Sequence, residues 1–194
     1  MADGLRERKK AATREALCRA ALRLTVERGY ENVLVDDIAT AAGVSPRTFN
    51  NYFTSKAEAV AHRHRHHLEQ LARKLHEQPA DVPLWVAIAT VATTYFGGDE
   101  HLPDPSWAED IGVVAAHPAV YAEFLKASVL AEESIAEVIG ERTGADPFYQ
   151  RLAAAAVGTA IRVAIEEWRH PDPRPLGRLI GSAIEQLTAG LPTP

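Results

Sequence analysis

Residues 46–56 read PRTFNNYFTSK, and six side chains there, Arg47, Thr48, Asn50, Asn51, Tyr52 and Lys56, are of types that can meet nucleic acid. An arginine fork matches the guanine edge and an asparagine amide the adenine edge, while threonine, tyrosine and lysine reach phosphate oxygens. Such groups read sequence only from a rigid support. The residues in front supply one: VDDIATAA is a short small-residue helix, Gly43 a tight turn, Ser45 an N-cap and Pro46 a first-turn residue. Val44 and Phe49 face inward in this pattern, which leaves the polar set outside.

Other chemistry finds less support. The run HRHRHH at 62–67 sets His62 and His66 four apart on one helical face, a spacing that can hold a metal. A closed site needs three or four ligands, and no cysteine pair or HExxH accompanies these histidines, so no metal is expected and the run reads as a solvated, pH-sensitive face. The single cysteine, Cys18, excludes an intrachain disulfide and reads as a small core residue. No nucleophile elbow or phosphate-cradling glycine loop is present, so neither a cofactor nor catalysis is expected.

The elements that must position these residues are helical throughout. Ala16, Leu17, Ala20, Ala21, Leu24 and Val26 predict a first helix from about Leu5 to Arg28, stopped by Gly29. SKAE at 55–58 is a capping box that opens a helix to about His76, and QPADVP breaks it. Asp81 is expected to cap a helix to Phe96, and Asp104 and Pro105 to open another. Helices from Pro118 to Gly140, from Asp146 and Pro147 to the PDPRP segment, and from Leu176 to Ala189 complete an all-α chain of about nine helices. The expected division is a helix-turn-helix domain over 1–56 and a helical ligand-binding and dimerisation domain over 57–194.

The stretch VDDIATAAGVSPRTFNNYFTSK resembles the TetR family of bacterial repressors, by motif over residues 8–60 and by length and helix order over the whole chain. The resemblance implies a homodimer, a double-stranded operator of two-fold symmetry and a small-molecule effector that releases the DNA. It assigns base reading to Arg47 and Asn51, and phosphate contact to Thr48, Tyr52 and Lys56. Two positions depart from the pattern. Leu34 replaces the threonine that often caps the second helix, and Asn50 stands at a usually aromatic position, either adding a polar contact to DNA or facing solvent. The RTF, NYF and SK version is similar to a subgroup of actinobacterial regulators that respond to acyl-CoA-like molecules.

Charge supports the division. The net charge of −5 conceals ten Lys/Arg against seven Asp/Glu in residues 1–56, and eleven against nineteen in the rest. A basic end on an acidic body presents one surface to phosphate. Arg6, Arg8, Lys9 and Lys10 are either an arm on the DNA or a solvated start. With 46% hydrophobic residues and no run of about 20 apolar ones, no membrane span is expected and the chain is placed in the cytoplasm. Trp85, Ile88, Tyr95, Trp107, Ile111, Tyr121 and Phe124 form the expected lining of an apolar or acyl-CoA-like ligand site, with Arg162 as an anion partner. Ala153 to Ala156, Gly158 and Ala160, with Ile180, Ala183, Ile184 and Leu187, form the expected dimer face. The competing classes are a helical enzyme and a helical adaptor; DNA binding separates the regulator from both.

Overall fold

The computed structural model describes residues 2–97, 117–170 and 174–192; for residues 2, 3, 63, 64 and 67 it describes the backbone alone. The helix expected at Asp104, with Trp107 and Ile111, lies outside these residues, as do the side chains of His64 and His67. Every regular element among the described residues is helical: α1 (Ala2–Arg28), a 3-10 turn (Tyr30–Asn32), α2 (Val35–Ala41), α3 (Pro46–Asn50), α4 (Lys56–His76), α5 (Leu84–Tyr95), α6 (Pro118–Thr143), α7 (Pro147–Trp168) and α8 (Leu176–Thr188). The all-α expectation holds.

Two compact units divide the chain. The first takes residues 1–66 together with 106–126, the second 67–105 together with 127–194. In the first, α1 buries Leu17, Cys18, Ala20, Ala21 and Leu24 in a core shared with Ile38, Phe49, Phe53 and Val60. Val120 and Phe124, from the first two turns of α6, complete that core. Val26 does not join it. It is 47% exposed, because it lies two residues beyond Leu24 and so on the opposite side of the helix. Gly29, at φ 80°, ends α1 in a conformation that glycine adopts without strain.

In the second unit α8 packs on α7 and on α5. Asp146 caps α7 as expected, its carboxylate accepting from the N–H groups of Phe148 (2.9 Å) and Tyr149 (3.3 Å). Two boundaries differ from the sequence reading. Asp81 caps nothing: residues 79–82 form a turn closed by Val82 N–H on the Pro79 carbonyl, and α5 starts only after Pro83. Gly140 does not end α6, which runs on to Thr143 before Gly144 turns the chain at φ 63°. Gly140 is small for packing instead, since a Cβ there would lie 2.6 Å from the Gln150 amide.

Half of the expected dimer face is already covered within the single chain, while Ala155, Ala156, Gly158, Ala183 and Leu187 remain half-buried. Ala153, Ala154, Ala160, Ile180 and Ile184 are all buried within the single chain, where α7 and α8 pack. What α7 leaves exposed is a different stripe, Phe148, Leu152 and Val163.

Candidate nucleic-acid interface

The recognition helix is short and tightly specified. Gly43 turns the chain at φ 69°, and Val44 N–H bonds the Ala39 carbonyl at 2.9 Å, tying the turn back to α2. Ser45 Oγ then accepts from Thr48 N–H at 3.1 Å, and Pro46 opens α3 where no N–H donor is needed. Phe49 and Phe53, one turn apart, point into the core with ring centres 5.6 Å apart. Arg47, Asn50 and Asn51 sit on an exposed face at the i, i+3, i+4 spacing of helical neighbours. None of these three side chains hydrogen-bonds to the described residues. Their donors are therefore available to a partner.

The remaining predicted residues are engaged to different degrees. The Thr48 hydroxyl lies 2.9 Å from Ser45 Oγ, so it takes part in the cap. Tyr52 is half-buried, and the Arg14 guanidinium of α1 sits 5.8 Å from its ring centre. Lys56 is the most engaged. Its ammonium donates to the carbonyls of Tyr30 (2.7 Å) and Val33 (3.0 Å) and lies 4.2 Å from the centre of the Tyr30 ring. Two of its three donors are thus used to hold the start of α4 against the turn after α1.

Capping at the two flanking helices is asymmetric. Leu34 has no acceptor for the α2 N–H groups, so only the reverse bond forms, Leu34 N–H donating to Asp37 Oδ2 at 2.9 Å. At α4, Ser55 Oγ accepts from Glu58 N–H at 3.0 Å, but the Glu58 carboxylate reaches one residue further back, to the N–H (2.7 Å) and hydroxyl (2.8 Å) of Thr54. Burial alone would raise the Glu58 carboxyl; these two donors outweigh it and hold the group below its usual range.

A polar cluster lies behind the interface. His62 is half-buried, its ring edge-on to Phe53 at 5.4 Å and its Nδ1 3.1 Å from an Arg65 guanidinium nitrogen. Burial, then the positive charge of Arg65 and Arg14, pushes it down to about 4, so the ring is neutral near pH 7. This corrects the solvated reading for His62. Burial pushes the Cys18 thiol up to about 12, which leaves it protonated and inert. Among the described residues no group of three metal-ligating side chains comes together, and no helix is long and apolar enough to cross a membrane.

The expected ligand residues among the described ones fall in both units. Tyr121 and Phe124 stack at 6.0 Å in the first unit's core. Ile88 lies in the second unit, in an apolar crevice with Leu71, Leu75, Val91, Ala92, Ile135 and Val157. Tyr95 lies on an open groove with Lys74, Gln78, Thr90 and Thr94, and Val91 borders both groove and crevice. Trp85 is half-buried. Arg162 donates to Glu166 at 3.0 Å along α7, a partly exposed pair, so its charge is already matched. Of the seven residues lining the crevice, Ile88 alone is among those expected to line a ligand site. Leu71/Leu75 and Ile88/Val91/Ala92 do recur at helical spacing, but that spacing reports burial and not what is buried against.

A rigid capped helix with an exposed Arg/Asn face, carried on a helix-turn-helix core, defines a DNA-binding regulator. The profile of bacterial regulatory proteins of the tetR family matches residues 17–61, and the profile described as the MftR C-terminal domain matches residues 82–192. This chain is 32% identical over 175 residues to the HTH-type transcriptional regulator TcmR of Streptomyces glaucescens, covering 85% of this chain and 76% of that one. It is 28% identical over 189 residues to the putative mycofactocin biosynthesis transcriptional regulator MftR of Mycobacterium tuberculosis, covering 95% and 93%. Among solved structures, FadR of Thermus thermophilus in complex with lauroyl-CoA matches in fold, with a TM-score of 0.64 at 19% identity over 93% of this chain and 96% of that one. The chain belongs to the tetR family of bacterial regulatory proteins. It is a DNA-binding transcriptional regulator of a family whose members dimerise and bind small molecules, and not an enzyme.

Proposed function

We propose that two copies of this chain place their α3 helices in successive major-groove segments of a two-fold symmetric operator, repress transcription there, and let go when an apolar small molecule binds. The observation that carries this reading is the Arg47, Asn50 and Asn51 face, exposed and unengaged on a helix whose start is fixed by Ser45 and whose underside is fixed by Phe49. Thr48 and Tyr52 add phosphate contacts at its edges, and Lys56 braces the helix from behind. Such a protein acts in the cytoplasm, where its operator is. The Phe148, Leu152 and Val163 stripe on α7 supplies the apolar surface for pairing the two copies.

The effector site is the crevice between α4, α5, α6 and α7. Its volume is about 10 Å³, room for roughly one water, so a ligand must part these helices to enter. Helix α4 contributes residues to both units, and a shift at Leu71 and Leu75 is a shift of the helix that also carries Lys56 and Val60. By linkage, DNA then weakens the ligand by the factor with which the ligand weakens DNA. A hydrocarbon chain suits such a crevice; the lauroyl-CoA in the Thermus FadR structure carries one.

Selection of bound DNA from a random pool tests the reading. A palindromic consensus that Arg47→Ala no longer enriches supports it; a pool with no enrichment by the wild-type protein refutes it.

A further inference from the structure

Glu132, on α6, makes no hydrogen bond or ion pair with the described residues, although it is half-buried. Its carboxylate lies against the backbone of α7 at Gly158, where a Cβ would come within 2.6 Å of Oε1 and 3.3 Å of Cδ. Ile135, one turn further along α6, and Val157, the residue before Gly158, both line the apolar crevice. Neither Glu132 nor Gly158 is itself part of that lining; the carboxylate lies between α6 and α7, two of the helices that a ligand entering the crevice has to part. Loss of water alone raises its proton affinity, and no neighbouring cation offsets it. A half-buried, unpaired carboxylate is partly desolvated there and gains from a donor that pairs with it.

We propose that Glu132 selects the effector, and that the effector is an apolar molecule carrying a protonated amine, which the carboxylate pairs with while the apolar part occupies the crevice. This rests on the crevice being the effector site. Gly158 keeps the approach open: any larger residue there displaces the carboxylate. The same geometry works against a molecule that brings a free carboxylate to this depth, because two like charges would then share a poorly solvated gap.

The test uses the full-length protein and three probes of one chain length, octylamine, octanol and octanoate, titrated calorimetrically at neutral pH. Octylamine is expected to bind at least about tenfold more tightly than octanoate, with octanol between them. Glu132→Gln is expected to bring octylamine down to the level of octanol and to leave octanol within about twofold. It is also expected to raise the melting temperature of the free protein, because an uncompensated charge has gone. Gly158→Ala tests the same contact with the charge retained, and should reduce the preference for octylamine by displacing Glu132. Octanoate binding as tightly as octylamine, or a preference for the amine that survives Glu132→Gln, overturns the proposal while octanol binding keeps the crevice reading intact. Failure of all three probes to bind refutes the crevice reading and the proposal with it.

Discussion

The Lys56 ammonium lies 2.7 Å from the Tyr30 carbonyl oxygen and 4.2 Å from the centre of the same residue's ring. One side chain at the start of α4 thus satisfies backbone at the first residue of the 3-10 turn and covers an aromatic face. Removing the charge while keeping the stem, as in Lys56→Met, should destabilise the protein by about 1.5 to 3 kcal/mol, because two part-buried carbonyls lose a charged donor. If Lys56 is a brace, the slope of log affinity against log salt stays unchanged in this variant. Urea unfolding and salt titrations of DNA binding separate the two roles; a slope reduced by about 1 per half-site would restore the phosphate contact.

Arg47 has the opposite character, exposed and unengaged. Arg47→Ala should leave stability nearly unchanged and cost about 1 to 3 kcal/mol on the selected operator, with far less loss on random DNA. Equal losses on both DNAs would move Arg47 from base reading to phosphate holding.

His62 makes stability sensitive to mild acid. Its proton affinity falls from the usual 6.5 to about 4 on folding, so between those values the unfolded chain takes up a proton that the folded chain refuses. The stabilisation from the neutral ring is complete above about 6.5 and declines as the pH drops toward 4. Urea midpoints across this range should fall less steeply for His62→Leu than for the wild-type protein. Parallel curves would show that His62 contributes nothing to the acid sensitivity.

Arg142 should behave as a structural clamp. Its guanidinium donates to the carbonyls of Gln78 (2.9 Å), Pro79 (2.9 Å) and Val82 (2.7 Å), closing the connection between α4 and α5 onto the end of α6. Arg142→Ala is expected to cost about 2 to 3 kcal/mol and to speed amide exchange in residues 77–83. Unchanged exchange in that segment would show that the turn holds itself.

The features legible in the sequence were those made by neighbours in the chain. Ser45, Pro46 and Phe49 declare the recognition helix because capping, first-turn preference and an inward-facing apolar side chain all act within one or two turns. The bracing bonds of Lys56 are illegible for the converse reason: the Tyr30 and Val33 carbonyls it meets lie 26 and 23 residues earlier and become its neighbours only on folding. The alanines and Gly158 of α7 announced a close approach, and periodicity cannot say whether the approaching helix belongs to the same chain. Ile180 and Ile184 show the same ambiguity, since an apolar face reads identically whether α5 and α7 or a second copy covers it. Glu132 gave no signal at all, because a lone glutamate on a helix is ordinary until its surroundings are known.

The membership of α6 bears on how such a regulator could be taken apart. Val120, Tyr121 and Phe124 fill the core around Phe49 and Phe53, yet they lie some sixty residues beyond the last of the contiguous DNA-binding segment. A chimera that joins residues 1–66 to a foreign sensor would inherit an unfilled core beneath its reading head. A transplant with intact footing must carry residues 117–126 along with it, so the unit of exchange in this protein is a pair of segments rather than a single stretch of gene.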